Sequence, residues 1–115
     1  MINGDGGITR DFIYVENVVE ASMLAALASS PSGLTCNIAS GSRTSLLELL
    51  AVICQAAGRR VDPELGPPRE GDIMHSQADI SLARSSLGYR VGVSFEDGIA
   101  RTVASYRSRA GLRDT

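Results

Sequence analysis

The chain has 115 residues, a formal net charge of −2 and an apolar content of 43%, values typical of one small globular domain. All eleven cationic side chains are arginine, so the sequence excludes a Schiff-base lysine, a phosphate-loop lysine and a Tyr-x-x-x-Lys acid–base pair. The slight acidic excess argues against a nucleic-acid or anionic-membrane surface, which normally requires a basic excess.

The first third of the chain predicts two strands and a helix. The β-forming run Phe12–Val15 predicts a short buried strand. Asn17, with Glu20 three residues later, has the pattern of a capping box, and the helix that it opens is expected to end near 29–33. Thr35–Ala39 predicts a second strand.

The middle of the chain predicts an apolar helix followed by a rigid loop. Ser45 and Glu48 form a second capping box, and Gly58 stands where a left-handed residue closes a helix. Residues 60–65 predict a short edge strand. The Pro- and Gly-rich residues 66–72 predict a loop without regular structure.

Two further helices are expected near the end of the chain. Asp79 is expected to cap a short helix that Gly88 closes, and Ser94 to cap the last helix. One face of that last helix is apolar at helical spacing: Phe95, Ile99, Val103 and Tyr106. The predicted fold class is α/β, with a sheet-edge part over 1–41 and a mostly helical lobe over 42–115.

No metal site or disulfide framework is expected. Cys36 and Cys54 lack the Cys-x-x-Cys spacing, and His75, the single histidine, does not complete a zinc site with them. His75 is expected to be a partly buried filler rather than a catalyst. No apolar run approaches the length of a membrane span, so we expect a cytoplasmic protein with reduced thiols.

Two arginines are candidates for binding an anion. Arg10 with Asp11 predicts either an ion pair at a strand edge or an anion clamp. Arg69 lies in the stiff loop, where binding a phosphate would cost little further entropy, and Asp72 is placed to accept hydrogen bonds from a ribose diol. The alternative for this loop is a solvated turn with a local Arg69–Asp72 pair. By contrast, Gly4-x-Gly6 is a turn and no dinucleotide loop, because the third glycine and a preceding strand are missing.

Several segments together resemble a known family. The segments that carry the likeness are 4–6, Arg10-Asp11-Phe12-Ile13-Tyr14-Val15, 37–41, Arg69-Glu70-Gly71-Asp72-Ile73, 76–80, 87–89 and 94–99. In this order and spacing they are similar to the C-terminal part of the NAD-dependent sugar-nucleotide epimerases and dehydratases, in the extended short-chain dehydrogenase/reductase family. Within that family the likeness is greatest to the UDP-glucose and UDP-N-acetylglucosamine 4-epimerases.

The resemblance implies roles for four residues in binding a nucleotide sugar. Arg10 and Arg69 would grip the diphosphate, and Asp72 would hold the nucleotide ribose. Ser76 matches a wall of the sugar pocket, where a small residue leaves room for an N-acetyl group. The parent activity implied is therefore 4-epimerisation of a UDP-N-acetylhexosamine, with NAD taking and returning the hydride.

The sequence departs from the family pattern because it contains neither the Gly-rich loop nor Tyr-x-x-x-Lys. We therefore expect a truncated, catalytically incomplete segment without catalytic residues or a cofactor of its own. A second interpretation is an assembly module, a homo-oligomer and possibly an intertwined dimer, that covers its exposed strands. A third is a weak nucleotide-binding protein.

Overall fold

This computed structural model describes residues 1–29 and 33–111 of the chain. These ranges contain four helices and four strands of two residues each. In chain order they are β1 (Ile2–Asn3), β2 (Thr9–Arg10), α1 (Val15–Leu27), β3 (Thr44–Ser45), α2 (Leu46–Ala57), β4 (Leu65–Gly66), α3 (Ser81–Leu87) and α4 (Phe95–Arg109). β1 pairs in parallel with β4, and β2 pairs antiparallel with β3. The predicted α/β class is confirmed.

The predictions of a strand at 12–15 and of another at 35–39 are wrong. Neither 12–15 nor 35–39 pairs with a strand in the described residues, and Val15 is already the first residue of α1. The β-forming side chains serve packing instead: Ile13 and Ile38 lie against the buried core cluster. Because β propensity measures the fit to a half-buried surface, it does not by itself supply a pairing partner. The edge strand predicted at 60–65 is displaced, since β4 begins only at Leu65.

The predicted capping box of α2 is confirmed. The Glu48 N–H donates to Ser45 Oγ at 3.2 Å, and the Ser45 N–H donates to Glu48 Oε2 at 2.7 Å. Gly58 ends this helix in the left-handed conformation, at φ +64°. Gly88, at φ +67°, ends α3 in the same way, and the Ser94 hydroxyl caps α4 by accepting from the Asp97 N–H.

Two predicted caps are wrong in position. The N-cap of α1 is Tyr14, and Asn17 lies inside the first turn with its side chain directed to residues 92–93. Asp79 stands one residue before the N-cap Ile80 of α3 and accepts from the Ser81 N–H at 2.9 Å and the Ser81 hydroxyl at 2.6 Å. Asn17 thus makes tertiary bonds in place of a cap, whereas Asp79 still caps α3 in effect, because it accepts from an N–H of the first turn from one residue outside the assigned N-cap.

The core lies between α1, α3 and the segment that precedes α2. Its buried members are Ala21, Ala39, Ile80, Ala83 and Tyr89. A second contact joins α2 to α4, where Arg107 donates to the Ala57 carbonyl. Tyr106, predicted on the buried face of α4, is 71% exposed, because its neighbour Arg107 is the residue that meets the end of α2.

Within the described ranges, no helix combines the length and the apolar character needed to cross a membrane.

Candidate functional site

The structure brings the two arginine motifs together. β2 lies beside the loop that carries the second motif: the Thr9 N–H donates to Met74 O at 2.9 Å, and the Ser76 N–H donates to Thr9 O at 3.2 Å. The Thr9 hydroxyl also lies 2.8 Å from Nδ1 of His75, which is exposed rather than the partly buried filler that was expected. Residues far apart in the sequence therefore form one surface.

Arg10 and Asp11 do not pair with each other. Arg10 Nη1 donates to its own neighbour Thr9 O at 2.8 Å and to Ile73 O at 2.6 Å, whereas Asp11 bonds backbone N–H groups elsewhere. The ion pair weighed for Arg10 and Asp11 is therefore wrong. Nε and Nη2 of Arg10 have no partner within the described residues, which leaves part of its planar fork open to an anion.

The loop places Arg69, Asp72 and Ser76 on the exposed side of this surface. All three are exposed, and the Asp72 N–H donates to Arg69 O at 3.2 Å in a turn that passes through Gly71. Gly71 has φ +84°, a conformation that glycine adopts without steric cost. The alternative pair between the side chains of Arg69 and Asp72 is absent from the ion pairs of the described residues.

Asp11 is the residue of this region that sequence reasoning missed. Its Oδ1 accepts from the Ser40 N–H at 2.8 Å and from the Ser40 hydroxyl at 2.5 Å. Its Oδ2 accepts from the Gly41 N–H at 2.9 Å and from the Ala78 N–H at 3.4 Å. No local spacing indicates these partners, because they follow Asp11 by 29 to 67 positions in the chain.

Two further bonds join the turn at 40–41 to the chain after Ser76. Gln77 Nε2 donates to Gly41 O at 2.5 Å, and Asn37 Nδ2 donates to Asp79 O at 3.3 Å. Gly41 has φ +75°, and a Cβ at this position would lie 3.0 Å from Ile80 Cδ1. Only a glycine therefore lets the turn come this close to Ile80 without strain.

A polar cleft of about 380 Å³ lies next to this surface. One lining residue belongs to the turn at 40–41, and the others follow Ser76 in the sequence: Gly41, Gln77, Ala78, Asp79, Ile80, Ser81 and Arg84. Two hydrogen bonds from the hydroxyl and N–H of Ser81 lower the pKa of the Asp79 carboxyl below its usual 3.8, so the cleft lining carries the negative charge of Asp79 together with the positive charge of Arg84. None of the four predicted site residues lines the cleft; they lie on the open surface beside it. In the described part of the chain, no group of three or more His, Cys, Asp or Glu side chains is arranged to hold a metal ion.

The turn at 4–6 does not have the geometry of a dinucleotide loop. The turn at 4–6 is filled, because a Cβ on Gly6 would lie 2.5 Å from Leu47 Cγ, and no helix begins directly after it. A pyrophosphate cradle needs an open glycine turn at a helix N-terminus. The rejection of Gly4-x-Gly6 as a dinucleotide loop agrees with this geometry, although one of its grounds was wrong, because β1 (Ile2–Asn3) does precede the turn.

Comparisons with known proteins point to one group of enzymes. No protein-family model matches the chain. The chain is 38% identical over 109 residues to a UDP-glucose 4-epimerase of Mycolicibacterium smegmatis, a match that covers 95% of this chain and 34% of that protein. The chain thus spans about one third of the length of this curated relative.

Solved structures give the same result. The fold matches a UDP-glucose 4-epimerase of Thermotoga maritima, crystallised with UDP-glucose, with a TM-score of 0.86 and 32% identity over 95% of this chain and 35% of that one. It also matches a mutant UDP-glucuronic acid 4-epimerase of Bacillus cereus, solved with a fluorinated UDP-sugar and NAD, with a TM-score of 0.86 and 26% identity over 94% of this chain and 35% of that one. By sequence and by fold, the chain is homologous to the sugar-nucleotide epimerases and dehydratases over about one third of their length.

Proposed function

We propose that this chain forms the nucleotide-sugar-binding part of a UDP-sugar 4-epimerase-like protein and does not by itself catalyse epimerisation. The observation that supports this most directly is the contact between the two arginine motifs, in which Arg10 Nη1 lies 2.6 Å from Ile73 O. That contact brings β2 alongside the loop that bears Arg69 and Asp72. Solved relatives hold UDP-sugars, and the family likeness covers almost the whole of this chain.

The proposed roles follow the charge of a nucleotide diphosphate. Arg10 and Arg69 bind its phosphate oxygens, because a guanidinium offers paired donors that match them. Asp72 is exposed, and its carboxylate accepts hydrogen bonds from the two ribose hydroxyls. Ser76, small and exposed, leaves space at the sugar, so the proposed substrate class is a UDP-N-acetylhexosamine.

The proposed lack of activity rests on the absence of a catalytic Tyr-x-x-x-Lys pair and of a Gly-rich NAD loop in this sequence. The chain contains no lysine for a Tyr-x-x-x-Lys pair, and its turn at 4–6 does not fit NAD. In the proposal, residues 1–41 complete the edge of the sheet in the relatives and 42–115 form the substrate lobe. Both strand pairs, β1–β4 and β2–β3, join these two parts, so they act as one unit.

A thermal-shift titration with UDP, UDP-glucose and UDP-N-acetylglucosamine tests the proposal. A ligand that binds only the folded chain raises its stability by RT ln(1 + [L]/Kd), about 2.7 kcal/mol at a hundredfold excess over Kd. We expect a shift that Arg69→Ala abolishes. The matched control is Arg59→Ala, which removes an exposed arginine at the end of α2 and should keep the shift.

Three results would contradict the proposal. No shift at millimolar UDP would exclude nucleotide binding by this chain. A full shift in Arg69→Ala would remove the assigned role of that arginine. Turnover of UDP-N-acetylglucosamine by the purified chain with NAD, in a preparation free of host epimerase, would disprove the lack of activity.

The comparisons do not favour an assembly module as the function of the chain, but we propose that it self-associates. The argument from unpaired strands fails, since 12–15 and 35–39 are not strands. A different surface takes its place, namely the exposed apolar side chains of α1: Val15, Val18, Val19, Met23, Leu24 and Leu27. The Cα radius of gyration, 17.0 Å, also exceeds the roughly 13 Å expected for a compact chain of this length. Light scattering should show a homo-oligomer, and a clean monomer at high concentration would contradict this.

A further inference from the structure

The carboxylate of Asp11 lies where three segments of the chain meet. It extends from the end of β2 and accepts hydrogen bonds from the turn at Ser40 and Gly41 and from Ala78. Each of its two oxygens accepts from two donors, and the residue is half-buried. A carboxylate with this many donors is held in one orientation and holds its donors in return.

Hydrogen bonds hold the segment from Ile73 to Ala78 on two sides. On one side, Thr9 and Arg10 bond its backbone at residues 73, 74 and 76. On the other side, Asp11 bonds the Ala78 N–H, and Gln77 bonds the Gly41 carbonyl. Asp11 is the only member of this set that binds both the loop and the turn at 40–41 with one side chain.

We propose that Asp11 is a positioning residue, which fixes the loop at 72–78 against β2 and so sets where Asp72 and Ser76 lie. This inference rests on the proposed function, because it explains how that surface keeps its shape before a ligand arrives. Asp11 itself is not a ligand for the diphosphate, since its negative charge would repel the phosphates. Its oxygens are also already occupied by four donors.

Asp11→Ala is the informative substitution because it removes both acceptor oxygens and leaves the N–H groups of Gly41 and Ala78 without their partner. Asp11→Asn would decide less, since its NH₂ group can turn to Ser40, whose hydroxyl is able to accept, while its oxygen keeps Gly41 and Ala78. In Asp11→Ala the loop is released at Ala78. If the binding-competent loop then falls to about one tenth of the population, the apparent Kd for a ligand rises about tenfold.

The test combines backbone hydrogen exchange with calorimetric titration of UDP, at a temperature well below the unfolding midpoint of each variant. In Asp11→Ala we expect faster exchange at 72–78, unchanged exchange in α2 and α4, and a Kd about tenfold higher. Asp11→Glu retains a carboxylate and should restore part of the protection and of the affinity. The matched control Asp62→Ala, which removes a carboxylate 93% exposed, should change neither.

The outcomes separate this inference from the proposed function. Wild-type exchange at 72–78 in Asp11→Ala overturns the inference, whether or not the chain binds UDP. If the wild-type chain binds no UDP, the proposed function fails, but the exchange experiment still decides the role of Asp11. Faster exchange with an unchanged UDP affinity also overturns the positioning role. Should Asp11→Ala fail to fold, Asp11→Ser provides the same test, because its single short oxygen cannot reach both the turn at 40–41 and Ala78.

Discussion

Asn17 binds Val93 with both ends of its side-chain amide. Nδ2 donates to Val93 O at 2.9 Å, and Oδ1 accepts from the Val93 N–H at 2.9 Å. Oδ1 also accepts from the Gly92 N–H at 3.1 Å. Asn17 is 1% exposed, so these bonds lie away from water and join the first turn of α1 to the segment that leads into α4.

Asn17→Ala should destabilise the fold strongly. It leaves the buried N–H and C=O of Val93 without their partner, at a cost of about 3 kcal/mol in the free energy of unfolding. Urea denaturation followed by circular dichroism measures the loss. The control Asn37→Ala removes one 3.3 Å bond at an exposed site and should cost below about 1 kcal/mol. Equal losses in the two variants would contradict the role given to Asn17.

Tyr89→Phe should lower stability by about 1 to 1.5 kcal/mol. The Tyr89 hydroxyl donates to Ala39 O at 2.8 Å, and the residue is 1% exposed, so the variant leaves a buried carbonyl unpaired. Tyr106→Phe makes the same chemical change at a residue 71% exposed and should stay within about 0.5 kcal/mol of wild type. The prediction fails if the two variants unfold at the same denaturant concentration.

The same tyrosine should make stability depend on alkaline pH. Burial, and secondly the negative charge of Asp11, raise the pKa of Tyr89 above its usual 10.0. The folded state therefore prefers the protonated phenol. The stability that this provides is fully present below pH 10.0 and is lost as the pH rises through the folded-state pKa. Thermal melts at increasing alkaline pH should show a steeper loss in wild type than in Tyr89→Phe, and parallel losses would refute the assignment.

Local patterns predicted the helices better than the strands. Ser45 with Glu48 and the glycines at 58 and 88 define helix ends through bonds within a few residues, so the sequence contains the whole signal. A strand needs a partner from elsewhere. The run at 12–15 has the composition of a strand, but no ladder partner lies beside it in the described residues. The cap predicted at Asn17 was wrong for the same reason, since the partner of its side chain is the distant Val93.

The candidate site was predictable only in part. Arg10, Arg69 and Asp72 were predicted from local patterns as well as from the family pattern, and Ser76 from the family pattern alone; the structure places their segments side by side. Asp11 was considered only as the neighbour of Arg10. Its four donors come from two distant segments, and hydrogen bonds between such segments leave no periodic trace in a sequence.

Gly98→Ala should destabilise α4 although alanine favours helices. Gly98 is buried, and an added Cβ would lie 2.8 Å from Tyr14 Cβ. The gain in helix propensity is about 1 kcal/mol, whereas overpacking costs about 1 to 3 kcal/mol. We expect a net loss of about 1 kcal/mol, measured by chemical denaturation. In a Tyr14→Gly background that Cβ is absent, so the same substitution should become stabilising. A loss in both backgrounds would show that the side chain of Tyr14 is not the cause.

Glu48→Gln should reveal how the capping box of α2 depends on pH. Hydrogen bonds from the Ser45 N–H and then from its hydroxyl lower the pKa of Glu48 below its usual 4.5, because they stabilise the carboxylate. The stability that Glu48 provides is thus fully present above pH 4.5 and is lost as the pH falls through the folded-state pKa. Wild type and Glu48→Gln should differ in denaturation midpoint at neutral pH and converge in acid.

The control for this comparison is Glu64→Gln, which changes an exposed carboxylate away from any helix N-terminus and should leave the midpoint nearly unchanged at both pH values. The negative charge of Glu48 also lies in the first turn of α2, where the helix dipole favours an anion. Since salt screens the dipole effect but hardly affects the two short hydrogen bonds, the neutral-pH difference should persist at high salt. A difference that vanishes with salt, or that remains undiminished in acid, would mean that the hydrogen bonds to Ser45 are not what lowers the pKa of Glu48.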